Sequence, residues 1–394
     1  MIIWSIKENS VNWKIYCLIR MIDRNNPLES QKKIPDYNQV FEFAEVQLRN
    51  LILNYPNQFP FYTTNGKWDI TADPWTNWCE GFLGGQLWLI FEHNGVPWWR
   101  EQAEHYSKLI ESRQFDRSIH DLGFLFWPTW KRWYDLTGDE TINEVIIQAG
   151  RTLSKRYQEK GGYLCSFLSQ HSIFIDIMMN VGIIFYAAKQ ANDEKLFQIA
   201  NQHCLTTRKF LVRGDGSTSH EGIFDKNTGG FLHQSTQQGY RNDSCWARGL
   251  TWALYGFTTA YKFTNDIRYL RTAENIAQYY IDHTPDHGIP PNDWDEPLPQ
   301  YRFESSAAAI AAGGFWNLHL LIADPIKSHF YRNYALQILA TLISPDFLAV
   351  ETPGWEGIVK HGIYHIHGKL GVDESVMWGD YFLLEALNKV INDA

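Results

Sequence analysis

Residues 242–257 read NDSCWARGLTWALYGF, and the recurrence of this pattern decides the fold. An acidic residue and a small polar neighbour, Asp243 and Ser244, come first. Unpaired N–H groups and the helix dipole favour such side chains where a helix begins. From Trp246 onward the run is apolar on nearly every face, so the helix that it predicts belongs inside a core. Similar phrases open at Asp73 (ADPWTNWCEGFLGGQLW), Asp121 (HDLGFLFWPTW), Asp176 (FIDIMMNVGIIFYAA), Glu304 (FESSAAAIAAGGFW) and Asp373 (VDESVMWGDYFLLEAL). Six such runs, spaced at about 45–70 residues, make a repeating helical unit.

A second, more polar class of helix lies between them. It is predicted at Gln39–Asn54, Trp98–Arg113, Glu140–Tyr157, Glu194–Val212, Ile267–His283 and Ser328–Ile343. In the fifth of these, Leu270, Ala273, Ile276, Ala277 and Tyr280 recur at three- and four-residue steps, a single apolar stripe. The links Leu136-Thr137-Gly138-Asp139 and Phe263-Thr264-Asn265-Asp266 each end one helix and cap the next. Strand-like pieces are confined to the neighbourhoods of Phe224–Phe231 and Gly362–His367. The architecture that follows is all-α, an (α/α)6 barrel of six inner and six outer helices. Its six acids, gathered at one end, would form an acidic, aromatic-lined cup for a small polar ligand.

Composition narrows the function. The chain has 394 residues and a net charge of −9, without the basic clusters that nucleic-acid phosphates demand. NNPLESQKKIPD, residues 25–36, is the one linker-like stretch. It predicts an N-terminal helical arm with its linker at 1–36 and a single barrel domain at 37–394. The five cysteines (17, 79, 165, 204 and 245) form no CxxC pair and read as free thiols. Lys7 and Glu8 break the apolar start, and no apolar run approaches the length of a membrane span. A cytoplasmic protein is the expectation.

The chain carries 17 Trp, 20 Tyr and 23 Phe. Many fill the core. Others stand beside polar residues at helix mouths: Trp75, Trp78, Trp127, Trp130, Trp246, Trp252, Trp294, Trp355 and Trp378. Flat aromatic faces next to acids and amides suit sugar rings, whose C–H faces stack while their hydroxyls find hydrogen bonds. Carbohydrate is therefore the expected ligand class.

Four residues invite a chemical reading. Asp121 is either a helix cap or a carboxylate at a mouth. Asp176 is flanked by apolar residues, where an ionised carboxylate is costly unless paired. Burial and a second acid would raise its pKa and suit it to donate a proton, unless Asn180 or a backbone N–H holds it structurally. Arg248 and Trp252, four apart on one helix face, read as a clamp for a carboxylate and a ring. A salt bridge from Arg248 to a mouth acid is the other reading.

These strings together resemble the unsaturated glucuronyl hydrolases, glycoside hydrolase family 88. The likeness rests on His120-Asp121-Leu122-Gly123-Phe124, Ile175-Asp176 with Met178-Met179-Asn180, Gln238-Gly239, Ser244-Cys245-Trp246-Ala247-Arg248-Gly249 with Trp252, and Trp378-Gly379-Asp380-Tyr381. It runs in order from about Trp78 to Leu387. The resemblance implies an (α/α)6 barrel with no metal or organic cofactor. It also implies a substrate, an oligosaccharide left by a polysaccharide lyase with a C4=C5 unsaturated uronic acid at its non-reducing end. Water is added across that vinyl ether, and the hemiketal opens to release the next sugar. On the matching positions, Asp176 is the general acid and base, and Asp121 assists it. His220, Gln238, Arg248, Trp252 and Trp78 bind substrate.

Two departures bear on the substrate. Family members often carry a Trp in the loop before the acid/base Asp, where this chain has Tyr163-Leu164-Cys165-Ser166-Phe167. Members acting on sulfated fragments tend to carry Ser and Lys before the last inner helix. Here that loop reads Tyr364-His365-Ile366-His367-Gly368-Lys369, with a Lys and no Ser pair. His365 and His367 alternate without a third metal ligand at a recognisable spacing. The alternatives to the glucuronyl reading are an unsaturated rhamnogalacturonyl hydrolase on pectin fragments, a sugar epimerase using a His pair, and a non-catalytic sugar-binding barrel.

Overall fold

A computed structural model describes residues 36–72, 76–297 and 302–393. Helices alternate between inner and outer rings around the described chain. The inner ring consists of α2 (Glu80–Asn94), α4 (Leu122–Phe126), α7 (Ile177–Asn180) with α8 (Gly182–Ala191), α10 (Ala247–Thr264), α12 (Ser305–Leu321) and α14 (Met377–Asn392). A π-turn at Trp127–Lys131 carries α4 on into α5 (Arg132–Thr137). The outer ring is α1 (Tyr37–Asn54), α3 (Pro97–Leu109), α6 (Glu140–Ser154), α9 (Glu194–Phe210), α11 (Ile267–His283) and α13 (Pro325–Leu342). Each inner helix packs on the next, and α14 packs back on α2, so the ring closes.

The burial pattern separates the two rings as the sequence predicts. Every residue from Glu304 to Trp316 is buried, whereas α11 buries only one face, with Leu270, Ala273, Ile276, Ala277 and Tyr280 on it. In α12 the Ala run and Gly313-Gly314 bring the backbone close to Leu254 and Tyr255 of α10. Both expected links hold: Gly138 and Asn265 adopt the left-handed conformation, and Asp139 and Asp266 cap the following helices. Outer-helix ends shift by a few residues from the expectation. For example, the Trp98–Arg113 helix ends at Leu109 and gives way to a 3-10 turn at Glu111–Phe115.

Short strands decorate the end of the barrel where inner helices begin. They form hairpins β1 (Thr63–Thr64) with β2 (Lys67–Trp68), β3 (Tyr157–Gln158) with β4 (Tyr163–Leu164), and β8 (Gly362–His365) with β9 (Leu370–Glu374). An antiparallel three-strand sheet joins β5 (Ser172–Phe174), β6 (Glu221–Phe224) and β7 (Phe231–Ser235). β5 and β8 contribute Phe174 and Tyr364 to the cleft described below.

The six acids do not all share one role. Asp121, Asp176 and Glu304 occupy N-cap positions, but α10 and α14 start from Trp246 and Val376. Asp243 and Asp373 fall short because each is followed by non-helical backbone, a turn after Asp243 and a strand end after Asp373. Trp246 is bridged to Asp293, and Asp373 lies within β9. Their carboxylates sit at the surface, paired with Arg241 at 2.7 Å and His361 at 2.5 Å. Asp73 and Trp75 lie outside the described residues.

The described residues belong to one compact unit. The expected arm falls outside the described residues except for Asp36, which forms a capping box with Gln39 at the start of α1. No helix among the described residues is long and apolar enough to cross a membrane.

Candidate active site

Asp121 and Asp176 stand at the first turns of neighbouring inner helices, α4 and α7, and neither carboxylate caps its own helix. Asn180 explains why. Its Oδ1 accepts the Phe124 N–H at 2.8 Å, supplying α4 with the cap that Asp121 does not give. Its Nδ2 donates to the Asp176 carbonyl at 3.2 Å. The two helices meet this closely because residue 123 is glycine. A Cβ there would lie 2.5 Å from the Asn180 Cα. Both carboxylates are thereby left for the cleft.

His120 lies between them, its Nε2 at 3.4 Å from Asp121 Oδ1 and 3.4 Å from Asp176 Oδ2. Its Nδ1 accepts the Phe167 N–H at 2.9 Å, which assigns the ring proton to Nε2, facing the carboxylates. The acceptor and ligand atoms of the three residues all lie within 4.8 Å of one another. That span is also compatible with a cation.

Burial pushes Asp121 up to about 6, and the Asp176 charge adds to the effect while His120 opposes it. Burial also acts to raise Asp176, yet the His120 hydrogen bond and the charges of His120 and His220 bring its pKa below the usual value. This corrects the expectation of a raised Asp176: the neighbouring imidazoles outweigh the apolar flanks. Burial disfavours a charged His120, and the two carboxylates more than offset that and raise its pKa. Protonating Nδ1 would cost the Phe167 hydrogen bond, so the imidazole and the two carboxylates share the cluster's extra proton. Asp121 holds it to higher pH than Asp176 does.

Strand pairing brings His220 to the same place. β5 pairs with β6, and the Ile175 N–H donates to the His220 carbonyl at 2.9 Å just before Asp176. The His220 ring packs between Phe174 and Trp246, at 4.7 and 4.6 Å between centroids. Its Nδ1 accepts from the Gln237 and Gln238 N–H groups at 3.1 and 3.3 Å. Burial drives its pKa down to about 4, so the ring is neutral near pH 7 with its proton on Nε2. His220 Nε2 and Asp176 Oδ1 are both buried without a hydrogen-bond partner. A ligand would satisfy both.

Arg248 is 1% exposed and stacks between Trp246 and Trp378, 4.5 and 5.0 Å from their centroids. The guanidinium donates to the Ile363 carbonyl, to the Tyr364 carbonyl at 2.8 Å and to Gln238 Oε1 at 2.5 Å. Glu304 is 4.0 Å away, a longer contact that balances charge. The acid expected beside Arg248 is Glu304, at ion-pair distance only. Arg248 also lines the cleft with Trp252 one turn on.

The cleft has about 470 Å³ of open space. Of the predicted residues, Asp121, Asp176, Trp78, Gln238, Arg248 and Trp252 line it, and His220 is buried between two of its lining rings, Phe174 and Trp246. Of the mouth tryptophans, Trp78, Trp246 and Trp252 line it, and Trp378 packs at 4.8 Å against Trp78. Trp130 donates to the Ser107 carbonyl, Trp294 packs on Tyr280, Trp355 donates to Ser375, and Trp127 faces another cavity. Sequence reasoning missed Phe167, Phe174 and Tyr364, which also line the cleft. Phe167 comes from the loop lacking the family's Trp, so that loop still contributes an aromatic face. His365 and His367 hold loops: His365 Nδ1 accepts the Gly368 N–H, and His367 Nε2 donates to the Gly239 carbonyl.

A closed helical barrel with a buried and a half-buried carboxylate and a stacked arginine in an aromatic cleft fits a glycosidase of the (α/α)6 class. The model of Glycosyl Hydrolase Family 88 matches residues 55–288, and the chain belongs to that family. Similar proteins include the unsaturated chondroitin disaccharide hydrolase of Streptococcus pneumoniae, 32% identical over 81% of this chain and 83% of the relative. The crystal structure of the unsaturated glucuronyl hydrolase of Bacillus sp. GL1, responsible for glycosaminoglycan degradation, aligns with a TM-score of 0.85 and 27% identity. The alignment covers 90% of this chain and 96% of that one. A substituted unsaturated glucuronyl hydrolase from Streptococcus agalactiae, complexed with dGlcA-GalNAc6S, aligns with a TM-score of 0.78 and 28% identity, over 94% of each chain.

Proposed function

We propose that the protein hydrolyses oligosaccharides ending in a C4=C5 unsaturated uronic acid, by hydrating the vinyl ether rather than attacking the anomeric carbon. The observation that carries this reading is the His120 bridge between the buried Asp121 carboxylate and the half-buried one of Asp176. One proton held jointly beside an enol ether is what protonation of C4 requires. The substrate carboxylate enters beside Arg248, and the uronate ring lies against Trp252 and Trp78.

Asp176 is the group that protonates C4 and then, as carboxylate, draws the proton from the water that attacks C5. In the free enzyme the shared proton favours Asp121. A bound uronate adds negative charge and excludes water, raising Asp176 and moving the proton to it through His120. Asp121, then ionised, faces the oxocarbenium-like charge that develops at C5. His220 donates its Nε2 proton to a substrate oxygen. The product hemiketal opens to a keto acid and frees the next sugar. Carboxylate separation does not predict stereochemical outcome here, because the anomeric carbon is not attacked.

The epimerase alternative would need a pair of histidines able to exchange protons near neutral pH, and beside His120 the second, His220, is held neutral and tied by two backbone N–H groups. The buried free thiols of Cys79, Cys165, Cys204 and Cys245 suit a reducing cytoplasm. Incubating unsaturated disaccharides from chondroitin, hyaluronan, heparin and pectin with wild type and Asp176→Asn tests the reading. Loss of the enol-acid ultraviolet absorbance with wild type alone supports it. No loss on any of the four, with folded protein, refutes it.

A further inference from the structure

The inner helices end at a second cavity, with about 1130 Å³ of open space. It is lined from the later halves of α8, α10, α12 and α14 and from the π-turn after α4, whereas the catalytic cleft lies where those helices start. Trp127, singled out by sequence as a sugar-facing aromatic, belongs here.

Three features coincide. The first is charge: Lys131, Lys189, Lys262 and Lys389 all line the cavity of a protein whose net charge is −9. Lys131 pairs with Asp135, and Lys389 with Glu385 at 2.9 Å. Lys189 and Lys262 are exposed and have no ion pair among the described residues. The helix dipole accounts for lysines in last turns. It does not account for the second feature, aromatic faces among them. Trp127, Tyr186 and Phe263 line the same wall, with Trp127 edge-on to the other two at 6.0 and 6.4 Å. The third is an unmet acceptor. Glu385 has a side chain only 6% exposed, and its Oε1 takes the Tyr255 hydroxyl at 2.7 Å. Its Oε2 is buried with no hydrogen-bond partner.

A ligand matching all three has flat C–H faces, hydroxyls to donate and a negative charge. We propose that this far mouth is a second binding site, for an acidic saccharide. A ring lies against Trp127 and Tyr186, a hydroxyl donates to Glu385 Oε2, and carboxylate or sulfate groups meet Lys189 and Lys262. The site is separate from the cleft, so its occupancy does not depend on the double bond.

The test is calorimetric titration with a saturated tetrasaccharide of alternating uronic acid and amino sugar, on wild type, Lys189→Ala/Lys262→Ala and Trp127→Leu. The lysines are exposed and Trp127 is partly exposed, and none of the three lines the cleft. The expected result is binding that weakens at least about tenfold in each variant and with added salt. The tetrasaccharide leaves turnover of an unsaturated disaccharide uninhibited, and inorganic phosphate does not compete. Unchanged affinity in the double variant, fully competitive inhibition, or equal displacement by phosphate would each overturn the proposal. The titration reads out even if no unsaturated disaccharide is turned over, so this site and the proposed reaction fail separately.

Discussion

Asn180→Ala tests how the fold sets the two carboxylates. The side chain is fully buried, accepts the Phe124 N–H at 2.8 Å and donates to the Asp176 carbonyl at 3.2 Å. Alanine leaves a first-turn N–H of α4 buried and unpaired, which costs about 1–3 kcal/mol. At about 2 cal/mol/K of unfolding entropy per residue, this barrel has an entropy near 0.8 kcal/mol/K, so Tm falls by roughly 1–4 °C. Activity should fall further than stability. Releasing α7 from α4 lets Asp176 move relative to His120, and misplacement of about 1 Å is worth up to roughly 100-fold. The expected pattern is kcat down at least about tenfold with KM little changed, measured by ultraviolet assay beside scanning calorimetry. Asn180→Asp keeps an acceptor for Phe124, so it restores part of the stability. Its added charge raises the Asp121 pKa further. A variant that loses the expected stability yet keeps wild-type kcat would refute the clamp.

Three further predictions follow from the same geometry. Asp121 has a folded pKa of about 6 against a usual 3.8, so the stability associated with its protonation is present below about pH 4 and is lost as pH rises through 6. Asp121→Asn should therefore gain up to about 3 kcal/mol on wild type at pH 7 and nothing at pH 3.5, read from urea unfolding at both. His120→Leu removes the donor between the carboxylates, so their mutual repulsion grows and the alkaline limb of kcat/KM should rise by about one pH unit; an unmoved limb would count against the bridge. Arg248→Lys loses the planar fork that reaches Gln238 and two carbonyls, and kcat/KM should drop about 100-fold.

The barrel was legible in the sequence because its inner helices are apolar nearly all round and its outer ones only on one face, a contrast that needs no tertiary knowledge. Helix starts were less so. Asp243 and Asp373 look like caps, but backbone pairing at Trp246 and in β9 delays α10 and α14. In the cleft, the candidate residues could be named one by one. What a linear reading could not supply was the direction of the Asp176 shift, set by His120 from 56 positions earlier and by His220, which leads into the strand paired with β5. Phe167 and Tyr364 carry no local signal, since their place depends on loops folding over the mouth. The adjacency of His120 to Asp121 was the one available hint of the bridge.

The most direct check on the central claim is decay of the enol-acid absorbance of an unsaturated uronyl disaccharide, followed for wild type, Asp121→Asn and Asp176→Asn, with binding of each measured by calorimetry. The account predicts turnover by wild type, with both variants still binding but slowed at least about 100-fold, and Asp176→Asn the slower of the two. Near-wild-type turnover by Asp176→Asn would contradict it.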